Sequence, residues 1–180
     1  MGRGTTLLHG IGLETPLTHL EPGSLAPSFT LKGLDGKPYS LRDLLERGPV
    51  VLAFFKISCP VCQFTFPFLQ RIFERYAGDD VSVIGVSQDD PRSTEEFNRE
   101  FGVTFPTLMD DQGYPVSNAY GLTTVPTILL IDTGGRIKIS GAGFSKNDLA
   151  AIAKELAQQR KLSATPLFRL DEVVPDFKPG

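Results

Sequence analysis

Residues 50–62 read VVLAFFKISCPVC, an unbroken apolar run followed four residues later by the first of two cysteines that enclose Pro60 and Val61. Six apolar residues in a row, rich in Val and Phe, are too few for an ordinary helix and describe a strand buried on both faces. Pro60 suits the first position of a helix, where the N–H it lacks would have no partner anyway. The stretch therefore predicts strand, turn and helix in that order, with Cys59 at the helix N-terminus. Unpaired backbone N–H groups and the positive end of the helix dipole favour a thiolate there, and the thiolate is the nucleophile of disulfide exchange. At successive spacings of four, three, four and three, Cys62 shares a stripe with Phe66, Leu69, Phe73 and Tyr76 that should face a sheet. One reachable sulfur and one covered sulfur, a helical turn apart, allow the second thiol to break a mixed disulfide made by the first. Pro67 lies in mid-course and is expected to interrupt and kink this helix.

Working outward, VSVIGV (81–86) and TILLI (127–131) repeat the buried-strand character. SFTL (28–31) precedes an LDGK turn, and a short helix is expected from about Leu41. Ser93 and Glu96 form a capping-box pattern for a helix that ends before Gly102. Gly134 and Gly135 predict an antiparallel hairpin joining TILLID to RIKIS, and Ser145 with Asp148 caps a last helix bearing Leu149, Ile152, Ala153 and Leu156 on one face. Alternating strands and helices imply an α/β domain, a central sheet with covering helices. Residues 1–21 read as an irregular N-terminal arm and 161–180 as a Pro-containing C-terminal tail around a domain at 22–160.

At 180 residues, 41% hydrophobic and 22% charged, the chain has the make-up of one compact domain. A formal charge of −3 with no basic stripe argues against nucleic acid or an anionic membrane surface as a partner. No apolar run reaches the roughly 18 to 20 residues of a membrane span, and Met1–Pro16 holds no hydrophobic segment of signal-peptide length. These residues point to the cytoplasm, or to the periplasm or another extracytoplasmic site if a leader was removed. Two cysteines at this spacing point to redox or metal chemistry rather than to a stapled scaffold. A zinc site needs about four ligands. There is no second CxxC, and the only histidines, His9 and His19, fall in the N-terminal arm, so neither a metal nor a cofactor is expected. Asp89, Asp90, Asp110 and Asp111 lack calcium-loop spacing and read as loop or cap residues. Phe54, Phe55, Phe64, Phe66 and Phe68 read mainly as core, with some rimming a groove near the motif. Lys56 is either a solvated strand-end lysine or a cation that lowers the Cys59 pKa.

A strand, a CxxC at a helix start and a proline eight positions after the first cysteine resemble thioredoxin. APSFTLKGLDGKPYSLRDL (26–44) and FPTLMDDQGYPVSNAYGLTTVPTILLIDTGGRI (105–137) resemble the redoxin branch of that superfamily, the alkyl hydroperoxide reductase/thiol-specific antioxidant and TlpA-like proteins. The resemblance implies a thioredoxin-like fold, with a central mixed β-sheet flanked by helices, an N-terminal strand extension and a redoxin-type insertion. It also implies a thiol-disulfide oxidoreductase acting on protein disulfides or dithiols, served by a dithiol reductant or oxidant. TVPT (124–127) resembles the segment that presents a cis-proline against the CxxC. By that likeness Pro126 stands beside Cys59, and the Val125 backbone is free to pair with a substrate's extended chain. The expected site is thus Cys59 and Cys62 for catalysis, Val125 and Pro126 for the substrate.

Three positions depart from the family. Ser58 replaces the usual aromatic residue before the first cysteine, Ala53 replaces the buried acid of thioredoxins, and Thr65 replaces the glutamate of some TlpA-like proteins. The usual proton acceptor for the buried thiol is therefore missing, which leaves a water, a backbone group or Lys56 to serve. The rival reading is a peroxiredoxin-type thiol peroxidase, which resembles a PxxxTxxC pattern with a later arginine. Aligned on Cys62, those slots hold Phe55, Cys59 and Pro126; aligned on Cys59, the first two hold Leu52 and Lys56. Without the threonine and arginine that orient peroxide, fast peroxide reduction lacks its electrostatic basis. A redox-dead binding module is disfavoured because both sulfurs are present.

Overall fold

The computed structural model describes residues 20–180, so His9, His19 and all but the last two residues of the expected N-terminal arm lie outside the described residues. The chain opens with β1 (Thr30–Lys32), β2 (Pro38–Ser40), α1 (Leu41–Arg47), β3 (Val50–Phe55) and α2 (Pro60–Tyr76). It continues through β4 (Ser82–Ser87), α3 (Pro91–Glu100), β5 (Thr107–Met109), α4 (Pro115–Ala119) and β6 (Thr127–Ile131). The last elements are β7 (Ile137–Ala142), β8 (Phe144–Ser145), α5 (Lys146–Gln159) and β9 (Phe177–Lys178). The five-stranded sheet has the order β5-β4-β3-β6-β7. Strand β3 runs parallel to β4 and antiparallel to β6, so the sheet is mixed.

All six residues of β3 are buried, because both faces of this central strand are covered. Side chains alternate across the sheet. Val51, Ala53 and Phe55 enter a core shared with α2, Phe97 of α3 and α5, whereas Val50, Leu52 and Phe54 enter a second core with α1, Val116 and Tyr120. The result is an α/β domain with helices on both faces of its sheet. Antiparallel β1 and β2 precede α1 as a separate two-stranded extension. Among the described residues, no helix is long and apolar enough to cross a membrane.

Two helix expectations need correction. Helix α3 starts three residues earlier than a Ser93 cap would place it: the Asp90 carboxylate accepts from the Ser93 N–H at 3.0 Å, and Pro91 fills the first helical position. Asp followed by Pro supplies a side-chain acceptor and a preset φ together, so it outcompetes a Ser-Glu pair that falls inside the first turn. Helix α2 runs through Pro67 without interruption. Pro67 is exposed, so the carbonyl one turn earlier, which loses its N–H partner, lies on the solvated side of the helix. The opposite side is the expected stripe: Cys62, Phe66, Leu69 and Tyr76 are buried, with Phe73 half-buried, and Phe68 and Ile72 widen it.

Beyond α5 the chain returns over α2. Leu167 is buried, Phe168 packs on Phe68 and Phe144, and Arg71 pairs with Glu172. The chain then forms β9, which lies antiparallel to β8.

Candidate active site

The loop between β3 and α2 carries Cys59 and is fixed on both sides. Its turn is closed by the Cys59 N–H donating to the Lys56 carbonyl at 3.2 Å. The Ile57 peptide is clamped: its N–H donates to Asp89 Oδ2 at 2.8 Å, and its carbonyl accepts from Gln63 Nε2 at 2.9 Å. Asp89 lies in the loop just after β4, whose parallel pairing with β3 brings both strand ends to the same edge of the sheet. Ser87 Oγ accepts from the Asp89 N–H at 3.1 Å and sets its position.

Cys59 is the N-cap of α2 and is half-buried, whereas Cys62 is fully buried. The Cys62 N–H, one of the orphan donors of the helix start, is directed at Cys59 Sγ at 3.2 Å. Cys59 Sγ in turn donates to the Val125 carbonyl at 3.4 Å. Burial pushes the Cys62 thiol well above its ordinary range. The hydrogen bond to Cys59 adds to this, the Lys56 backbone opposes it, and the charges of Cys59 and Asp89 reinforce it. Thr65 is buried next to this sulfur's helix turn, but its hydroxyl donates to the Val61 carbonyl at 2.6 Å. Lys56 extends over the Tyr114 ring, 5.7 Å from its centroid.

The Val125–Pro126 peptide bond is cis. The loop before it is tied by Thr127 Oγ1 donating to the Thr124 carbonyl at 2.8 Å, and the Pro126 carbonyl accepts from the Gly143 N–H at 2.7 Å. A cavity of about 360 Å³ beside Cys59 is lined by Lys56, Gln88, Thr123, Thr124, Val125 and Gly180. Cys59, Cys62 and Val125 therefore meet at one point, with Pro126 next in the chain.

Four contributors carried no sequence signal of their own role. Asp89 looked like any loop acid, and Gln63 like any polar helix residue. Gly143 and Gly180 reach the site only through long-range pairing. Among the described residues, no group of three or more His, Cys, Asp or Glu stands close enough to hold a metal ion.

The profile of the AhpC/TSA family matches residues 22–140. The chain belongs to the AhpC/TSA family. It is 35% identical over 138 residues to thiol-disulfide oxidoreductase ResA of Geobacillus thermodenitrificans, an overlap that covers 75% of this chain and 78% of that protein. Among solved structures, it is similar to a Chlorobium tepidum protein described as the thiol:disulfide interchange protein DsbE, with a TM-score of 0.68, 26% identity and coverage of 78% and 97% of the two chains. It is also similar to peroxidoxin BcpB of Mycobacterium tuberculosis, with a TM-score of 0.64, 27% identity and coverage of 81% and 99%. These likenesses establish the thioredoxin-like fold. The AhpC/TSA match ends inside β7, before Gly143 and the returning tail.

Proposed function

We propose that this protein is a thiol-disulfide oxidoreductase in which Cys59 exchanges with protein substrates and Cys62 resolves the product. The observation that carries the reading is the asymmetry of the two sulfurs. Cys59 opens to a cavity and has a backbone donor and a backbone carbonyl within reach, whereas Cys62 is sealed in the core. In the reducing direction, the Cys59 thiolate attacks one sulfur of a substrate disulfide, and the substrate's other sulfur leaves as a thiolate. Cys62 then gives up its proton and attacks Cys59 Sγ. The mixed disulfide breaks, a second substrate thiol departs, and Cys59 and Cys62 are joined; two electrons have passed to the substrate. An external dithiol restores the pair, and the oxidising direction is the reverse.

Pairing along the Val125 backbone would hold the substrate chain against Cys59, and Pro126 would shape the same surface. The 35% identity to a protein named thiol-disulfide oxidoreductase supports this choice over peroxidase chemistry. The likeness to a peroxidoxin speaks for the shared fold, but the cavity lining contains lysine and no arginine. We place the exchange in the cytoplasm, or outside it if a leader precedes Met1, and cell fractionation tests that choice. The activity is tested with insulin and excess dithiol. Insulin should be reduced in a Cys59-dependent way while hydrogen peroxide is consumed slowly. Rapid peroxide turnover that survives Cys59→Ser, without insulin reduction, would replace this reading with the peroxidase one.

A further inference from the structure

The tail does not stop at α2; residues 177–180 reach the strip beside Val125 that the exchange reading gives to the substrate. Phe177 and Lys178 pair with Ser145 and Phe144, and the Lys146 N–H donates to the Asp176 carbonyl at 2.9 Å. Lys178 Nζ lies 4.8 Å from the centroid of the Phe64 ring, on the helix that carries the cysteines. Gly143, at φ +80°, can exist only as a close neighbour of this backbone, because a Cβ there would collide with the Lys178 carbonyl. Gly180 then lies over the residues before Pro126. A Cβ on Gly180 would collide with the Val125 carbonyl and come within 2.6 Å of Thr124 Oγ1. The same glycine lines the cavity of Cys59.

We infer that residues 177–180 act as an internal strap that occupies the strip along Val125, so that a protein substrate must displace it before its chain can reach Cys59. The inference rests on the exchange reading given above, in which a substrate pairs with Val125. The strap makes the site selective by size. A small disulfide enters the cavity between Lys56, Gln88 and Thr124 without moving it. A polypeptide needs the backbone that Gly180 covers, and on displacing the strap it also meets the Phe64 ring that Lys178 had occupied. Anchors upstream, Leu167 and the Arg71–Glu172 pair, keep the strap tethered nearby when it is displaced. Its effective concentration therefore stays high, and it returns after each turnover.

The test compares the protein with a variant ending at Pro175 and with Gly180→Ala, whose Cβ would collide with the Val125 carbonyl and loosen the strap. Removing the strap should lower KM for insulin about tenfold, the factor expected if the strip is open about a tenth of the time. Gly180→Ala should move KM in the same direction by less. In both variants the KM for insulin should fall by more than the KM for glutathione disulfide, because small-disulfide entry needs no displacement of the strap. Independently of truncation, a peptide trapped on Cys59 in Cys62→Ala should lower amide protection at Lys178, which pairs with Phe144. Insulin turnover with an unchanged KM in both variants, or retained protection in the trapped complex, would overturn the strap alone. Absence of insulin reduction in all three proteins would overturn the strap and the exchange reading together.

Discussion

Segments 50–62 and 161–180 both arrive at the Val125 carbonyl, one carrying Cys59 and the other Gly180, yet they are held there by opposite means. The first is specified locally: a continuous apolar run makes β3, and a proline after the first cysteine starts α2. The second contains three prolines and no period. It is held by contacts to residues on other elements, among them Arg71, Phe68 and Phe144. The difference teaches that the place of Cys59 can be written in a dozen adjacent residues, while the segment that reaches Val125 from the tail depends on partners about a hundred positions away.

The largest expected effect separates the two sulfurs. Cys59→Ala should abolish insulin reduction, and Cys62→Ala should also stop turnover but leave a thiol that traps partners as mixed disulfides. Mass spectrometry of alkylated single variants should find Cys59 modified faster than Cys62 at every pH below the range where the buried thiol ionises. A faster Cys62 would reverse the roles.

Next in size are packing losses on either side of the comparison. Phe66→Ala, in the core beneath the motif, should cost about 3–5 kcal/mol in denaturant unfolding. Leu167→Ala should cost less, about 2 kcal/mol, because a leucine removes fewer buried atoms than a phenylalanine and the tail around it can relax. Equal costs would mean that the tail and the sheet unfold as one unit.

A pH series separates the regions more finely. The Cys62 thiol is raised in the folded state, so it stabilises the reduced protein fully below the unfolded pKa of about 8.5 and loses that contribution as pH climbs above it. The slope approaches about 1.4 kcal/mol per pH unit and should vanish in Cys62→Ala. Buried Tyr120 behaves alike, but only from about pH 10, so the two are distinguishable. At the other end, Arg71 holds the Glu172 carboxyl down to about 2, from an ordinary 4.5. A depressed carboxylate stabilises above its unfolded pKa, so the tail anchor should be intact at pH 6 and weaken as pH falls from about 4.5 toward 2. Hydrogen exchange along 165–178 reads this smallest effect, and Glu172→Gln should erase its pH dependence.

The sheet and both cysteines were legible because burial leaves a period, and a CxxC after a buried strand is a local pattern. The cis bond at Pro126 and the place of Val125 beside Cys59 were legible only through resemblance. The clamp on Ile57 was not, since Asp89 joins it across parallel strands and Gln63 by reaching back from the helix's first turn. Ser93 misled because a capping box and an Asp-Pro start overlap in sequence, and only the backbone donor chosen by Asp90 separates them. Pro67 misled because solvent on one side of α2 tolerates a lost hydrogen bond that a buried helix would not.

The hydrogen bond from Cys59 Sγ to the Val125 carbonyl exists only while that sulfur carries a hydrogen. Once Cys59 and Cys62 are joined, neither sulfur has a proton to give, and the Val125 carbonyl loses this donor. On the exchange reading, lifting the strap from the oxidised protein would expose a Val125 carbonyl that the protonated, reduced protein keeps occupied with its own thiol.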